Sequence, residues 1–202
     1  MSNWQYATVV PTTNWRSAMT LPRELKLKHA GNDVFIASQP VAELSGIQSK
    51  SFVLENLKFA DSLDLSKKAG AIKFPCRLNF KLEDVSDFSL SFLNDLGEAL
   101  LVGYDKKLNQ YFIDRSKSGK TDFEKGFAAR HTAPRFTNKS NMNISLVVDV
   151  SSVELFADDG LTTMTEIFFP TTPYNKILLQ REGKAVIKKM EYIKLSSTLP
   201  KR

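Results

Sequence analysis

The stretch Ile144–Pro170, ISLVVDVSSVELFADDGLTTMTEIFFP, decides the fold. Its residues alternate with the two-residue period of a half-buried strand. Ile144, Leu146 and Val148 share one face, and Ser145, Val147 and Asp149 take the other. Val153, Leu155 and Ala157 repeat the pattern, less regularly, against Ser152, Glu154 and Phe156. Asp158-Asp159-Gly160 is a hairpin signal, because glycine takes a positive φ without steric penalty. The stretch therefore reads as two or three strands joined by tight turns.

The same pattern extends in both directions. Upstream, Glu24–Ala30 and Asp33–Ser38 flank Gly31-Asn32, a two-residue hairpin turn, and Ser51–Phe59 is a further strand-like run. Ala71–Glu83 alternates after Pro75. In Asp87–Asp95, Phe88, Leu90 and Phe92 oppose Ser89 and Ser91. Ala99–Arg115 reads as a hairpin with its tip near Asp105–Asn109. Thr162–Phe169 follows the decisive stretch. Ile177–Glu182 and Ala185–Leu195 read as a last hairpin across Glu182-Gly183. About ten to thirteen short strands, no long amphipathic helix and no repeat period predict an all-β chain. An antiparallel β-sandwich of the jelly-roll, concanavalin A-like kind limits the exposed edges of so many strands. The polar segment Arg115–Asn141 is the one long irregular connection, suited to a functional or covering loop. Residues 1–22, rich in Trp, Thr and Pro, stand apart from a sandwich domain over 23–202.

Composition narrows the function. The chain has 202 residues, of which 42% are hydrophobic, enough for one normal core. No apolar run approaches the roughly 18 residues of a membrane helix, and the N-terminus lacks the charge and apolar pattern of a signal peptide. The net charge of +6 is spread through pairs such as Lys67-Lys68, Lys106-Lys107 and Lys188-Lys189, without the compact basic motif of a nucleic-acid binder. Cys76, the sole cysteine, excludes an internal disulfide and a cysteine-cluster metal site, and its neighbours Phe74, Pro75 and Leu78 predict a buried, inert thiol. His29 and His131 have no metal-ligand spacing and read as structural. No cofactor or metal is implied.

Several short motifs, in order along the chain, resemble glycoside hydrolase family 32, the fructan hydrolases that include levanases, inulinases and invertases. SNWQYA (Ser2–Ala7) is similar to the end of that family's last propeller blade. WRSAMTLPRELKL (Trp15–Leu27) resembles its passage from propeller to sandwich. FIDRSKSG (Phe112–Gly119), APR (Ala133–Arg135) and the run Asp149, Ser151-Ser152-Val153-Glu154, Asp159-Gly160 resemble its C-terminal sandwich, nearest to the levanase branch. The resemblance implies a remnant of blade and linker over 1–22. It also implies a catalytic β-propeller as partner, an extracellular or periplasmic setting, and an interface that can serve in a homo-oligomer.

The family's catalytic residues lie in NDPNG, RDP and EC motifs of the propeller, and none of these strings occurs here. A retaining glycosidase needs two carboxyl groups about 5–5.5 Å apart. Of the carboxylates Asp114, Asp149, Glu154, Asp158 and Asp159, none reads as such a pair: Asp114 and Asp149 lie at strand ends where they can cap turns or pair locally, and Asp158 and Asp159 occupy a hairpin. Three readings follow. The chain is a non-catalytic sandwich that stabilises the propeller or an oligomer, a lectin-like module that binds fructan oligosaccharides, or an enzyme in its own right. The binding reading names aromatic rings for stacking on sugar faces: Trp4, Tyr6, Trp15, Tyr104 and Tyr111, with Tyr174 as a further candidate. The competing reading of these rings is half-buried packing. For Trp4 and Trp15 the expectation is burial against the sandwich or, in a whole enzyme, against the propeller.

Overall fold

A computed structural model describes residues 4–69, 72–181 and 186–197. The first strands, β1 (Arg23–Ala30) and β2 (Asp33–Pro40), pair as an antiparallel hairpin that forms its own two-stranded sheet. Gly31 turns the chain between them with φ +63°, a conformation that costs glycine little. A 3-10 turn, Ala42–Ile47, leads into β3 (Gln48–Leu57), β4 (Ser62–Asp64) and a one-turn helix α1 (Leu65–Ala69). There follow β5 (Cys76–Glu83), β6 (Phe88–Leu93), β7 (Ala99–Asp105), β8 (Gln110–Lys117) and β9 (Arg130–Pro134). The chain closes through β10 (Met142–Val148), β11 (Ser152–Ala157), β12 (Thr162–Ile167), β13 (Lys176–Arg181) and β14 (Val186–Leu195).

Twelve of these strands build two six-stranded antiparallel sheets. The first runs β12-β11-β10-β5-β14-β3, the second β4-β13-β6-β7-β8-β9. Period-two alternation explains the layering. Leu78, Phe80 and Leu82 of β5 and Ile144, Leu146 and Val148 of β10 point inward from the first sheet. Leu90 and Phe92 of β6, Val102 and Tyr104 of β7, and Tyr111 and Ile113 of β8 meet them in one contiguous core. Burying each such side chain contributes about 1.5–3 kcal/mol. Cys76 is fully buried in this core, where loss of solvation, aided by Asp149, pushes its thiol up to about 12.

Two smaller clusters attach flanking segments. On the outer face of the first sheet, Val147, Phe156, Ile193 and Leu195 pack with Leu44 of the 3-10 turn, which accounts for apolar residues on a nominally polar face. At one end of the sandwich, Tyr6 and Val10 of the N-terminal segment join Phe127, Ile167 and Phe169.

The structure departs from the sequence reading in three places. The segment Arg115–Asn141 is not wholly irregular: β9 lies within it as an edge strand paired with β8. The three-residue strand β4 pairs with β13 and carried no visible pattern. Ile177–Glu182 and Ala185–Leu195 do not form a hairpin. Strand β13 pairs with β6 and β4 in one sheet, whereas β14 lies between β5 and β3 in the other. Both strands carry a buried face, but that face is turned toward the shared core from opposite sides. The connecting Glu182-Gly183 lies outside the described residues.

Candidate functional site

The motif residues fasten distant parts of the chain to one another. Glu154, on the outer face of β11, is 4% exposed. One carboxylate oxygen accepts the Leu21 backbone N–H at 2.7 Å, and the other accepts Arg23 Nη2 at 2.5 Å. The same Arg23 nitrogen donates to Thr165 Oγ1 at 2.7 Å, and its guanidinium lies 5.1 Å from the Phe156 ring centre. The segment that leads into β1 is thus held at Leu21 and Arg23.

Arg115 is a second fastener. It is 1% exposed, donates to the carbonyls of Phe127 (2.8 Å) and Ile167 (3.2 Å), and pairs with Glu166 at 2.8 Å. Its guanidinium lies 4.0 Å from the Phe127 ring and 5.4 Å from Tyr6, so it also seats the N-terminal segment. His131 Nδ1 sits 2.7 Å from the other Glu166 oxygen, a contact that becomes a hydrogen bond when that nitrogen carries a proton.

The third fastener closes the β11–β12 hairpin. Asp158, Asp159 and Gly160 all adopt positive φ. Asp158 accepts Arg135 Nε at 2.8 Å, Arg135 Nη2 at 3.2 Å and the Tyr111 hydroxyl at 2.7 Å. Burial works against the Arg135 charge, but Asp158 outweighs it and holds the guanidinium protonated beyond its usual range. Burial, then Asp158, pushes the Tyr111 phenol well above its ordinary value. Asp114 and Asp149 cap locally: Asp114 accepts from Ser116 and Asp149 from the Val150 N–H.

The structure does not bring the five aromatic candidates into one site. Tyr104 and Tyr111 lie in the main core, with ring centres 5.4 Å apart and hydroxyls bonded to Asn109 and Asp158. Neither offers a ring face to a sugar. Tyr6 is buried edge-on against Phe127, and Tyr174 is buried with its hydroxyl on the Ser118 carbonyl. Trp15 is half-covered beside Phe169. Trp4 is 94% exposed, so of the two expectations for it, burial against the sandwich does not hold.

Two surfaces stand out instead. A cleft of about 380 Å³ lies on the outer face of β5, β10 and β14. Its floor carries Arg77, Asn79, Ser145 and Glu191, and its rim is formed by Gln39 and Pro40 of β2 with Asp159 and Gly160. The second surface is the free side of the β1–β2 hairpin. Leu27 stands opposite Ile36, with Leu25 and Val34 on the same side, and all four are exposed. The other side is tied down through Lys28 to Asp159 and through Phe35 to Phe136.

With this geometry in view, comparison with known proteins is decisive. The model described as glycosyl hydrolases family 32 C terminal matches residues 41–194. The chain belongs to this family. It is 37% identical over 175 residues to the levanase of Bacillus subtilis, covering 84% of this chain and 26% of that protein. It is 35% identical over 177 residues to the extracellular exo-inulinase of Aspergillus ficuum, covering 85% of this chain and 33% of the relative. The family 32 chain thus spans about a quarter to a third of these relatives' length. The crystal structure of the Aspergillus awamori exo-inulinase superposes with a TM-score of 0.84 at 29% identity, covering 98% of this chain and 40% of that one. The β-fructofuranosidase of Schwanniomyces occidentalis, at 20% identity and a TM-score of 0.79, shares the fold over 97% of this chain and 44% of its own.

Among the described residues, no group of three or more His, Cys, Asp or Glu side chains could hold a metal ion. Nor is any helix among them long and apolar enough to cross a membrane. Sequence reading missed the fasteners' partners and the cleft. A charge inside the apolar run VELF was the available signal for Glu154, since a buried carboxylate requires a partner.

Proposed function

We propose that this chain is a non-catalytic sandwich module that seats and rigidifies the catalytic propeller of a fructan-hydrolysing enzyme. The observation that carries this reading is where exposed apolar surface concentrates. Leu25, Leu27, Val34 and Ile36, each more than half exposed, share the free side of the β1–β2 hairpin, which lies outside the two large sheets. Contiguous exposed apolar residues mark an interaction surface. The motif residues meanwhile act as internal fasteners: Glu154 and Arg115 are buried, the Asp158 side chain is 7% exposed, and all three are occupied. An extracellular setting is part of the proposal, supported by the A. ficuum relative, an extracellular exo-inulinase.

The test has two arms. The purified chain releases no fructose from levan, inulin or sucrose, and turnover that follows the pure protein would overturn the non-catalytic reading. Mixed with a separately produced propeller module of the B. subtilis levanase, the chain forms a one-to-one complex, and Leu27→Asp with Ile36→Asp abolishes it. A complex indifferent to that double substitution would remove the hairpin from the interface.

A further inference from the structure

We propose that the cleft on the outer face of β5, β10 and β14 binds a neutral oligosaccharide. The site uses none of the hairpin's free apolar side, so it goes beyond the docking role and rests on family membership only for the choice of probes.

The floor is pre-ordered. In the sheet register, Asn79 of β5 stands between Ser145 of β10 and Glu191 of β14. Arg77 Nε donates to Ser145 Oγ at 2.8 Å and to Asn79 Oδ1 at 3.1 Å. Asn79 Nδ2 donates to Glu191 Oε2 at 3.0 Å. The amide is therefore fixed with its carbonyl toward Arg77 and its nitrogen toward Glu191. Among the described residues, the terminal nitrogens of Arg77, the Lys189 ammonium and the second Glu191 oxygen make no hydrogen bond or ion pair. These are spare donors and an acceptor, side by side on a rigid sheet.

The charges decide the ligand class. Arg77, Lys81 and Lys189 line the cleft together with Glu191 and Asp159, three cations to two carboxylates, so groups of both signs face one ligand. Such mixed donors and acceptors suit vicinal hydroxyl groups, each of which both gives and takes a hydrogen bond. An anion would face Glu191, and a cation would face Arg77. Pro40 and Phe156 add apolar wall for the C–H faces of a sugar ring. The volume of about 380 Å³ falls within the roughly 300–1,000 Å³ of small-ligand sites. The rim is also fixed: a Cβ on Gly160 would lie 2.4 Å from the Ser38 carbonyl oxygen, so turn and β2 meet backbone to backbone.

The experiment titrates the 202-residue chain with β-2,1- and β-2,6-linked fructo-oligosaccharides, read by calorimetry and by side-chain amide resonances. Saturable heat is expected, with shifts at the side-chain amides of Asn79 and of Asn143, which also lines the cleft. Arg77→Ala and Glu191→Ala, checked for an unchanged fold by circular dichroism, should each weaken binding by about tenfold or more, while Trp4→Ala leaves it unchanged. Equal heat from a malto-oligosaccharide would support the site and remove any fructan selectivity. Three results would overturn it: no heat up to about 10 mM sugar, binding indifferent to both cleft variants, or displacement by inorganic phosphate. Should a variant fail to fold, the amide shifts of the unaltered chain still locate or exclude the site. Loss of sugar binding with intact propeller docking, or the reverse, tells the two proposals apart.

Discussion

Glu154 grips Arg23 at 2.5 Å across 131 residues of sequence, and so ties the start of β1 to β11 of the first six-stranded sheet. Arg23 Nε has no hydrogen-bond partner among the described residues, so the guanidinium depends on this contact and on Thr165. Glu154→Ala leaves a mostly buried cation and the Leu21 N–H unpaired. We expect a loss of about 2–4 kcal/mol in urea unfolding. Limited proteolysis should then cut within residues 16–22 well before the sandwich. An unchanged midpoint and cleavage pattern would show the pair to be dispensable.

Tyr111 and Arg135 share Asp158 unequally, which gives a graded test. Tyr111→Phe removes one hydrogen bond and leaves the ion pair, at a cost of about 1–1.5 kcal/mol. Arg135→Ala strands a carboxylate whose side chain is 7% exposed, at a cost of about 3–5 kcal/mol. Equal losses, measured by denaturant unfolding, would contradict the assignment of Arg135 as the principal partner.

Gly160 tests the seating of the hairpin. Its φ is +85°, and an added Cβ would lie 2.4 Å from the Ser38 carbonyl oxygen, a backbone obstacle. Gly160→Ala should cost about 1–3 kcal/mol and expose the β1–β2 amides to faster hydrogen exchange than the strands of the two large sheets. Uniform exchange changes across the molecule would argue against a local role.

These fasteners also mark the limit of sequence reading. The strands were legible because alternation is local: Leu78, Phe80 and Leu82 announce a buried face without reference to a partner. The same rule could have placed Tyr104 and Tyr111 in the core, since each continues an inward series, Leu100–Val102–Tyr104 and Tyr111–Ile113. Their hydroxyls made them resemble sugar-stacking rings, but those hydroxyls serve Asn109 and Asp158. Strand β9, RHTAP, is short and mostly polar, as an edge strand can be, and hence read as loop. Sheet membership of β13 and β14 is a non-local fact that periodicity does not encode. The cleft draws residues from Gln39 to Glu191, and no motif spans such a distance.

Glu98 gives the pH dependence. Burial opposes its charge, but hydrogen bonds from Thr171 and Asn94 outweigh burial and hold its carboxyl below the usual range. Its oxygen accepts Asn94 Nδ2 at 2.6 Å and the Thr171 N–H at 2.8 Å. A depressed folded pKa contributes stability that is present above the unfolded value and is lost as pH falls through the folded one. The unaltered chain should therefore lose stability on acidification faster than Glu98→Gln, so that the gap between them narrows below about pH 4.5. Parallel curves in urea titrations at successive pH values would rule out this carboxylate as the source.

The hairpin's free side makes the last prediction. Leu27 and Ile36 face each other in register, flanked by Leu25 and Val34, with no covering residues among those described. Water-exposed apolar surface of this kind associates with whatever complementary surface is available. Without a propeller, the available surface is a second copy. Sedimentation should show concentration-dependent dimerisation, and Leu27→Lys with Ile36→Lys should abolish it. Because both side chains are already exposed, each substitution should change stability by no more than about 0.5 kcal/mol. The two occupants compete for one face, so adding a propeller module should dissolve the dimer as the heterocomplex forms. Dimers that persist beside a saturated propeller complex would place self-association elsewhere on the molecule.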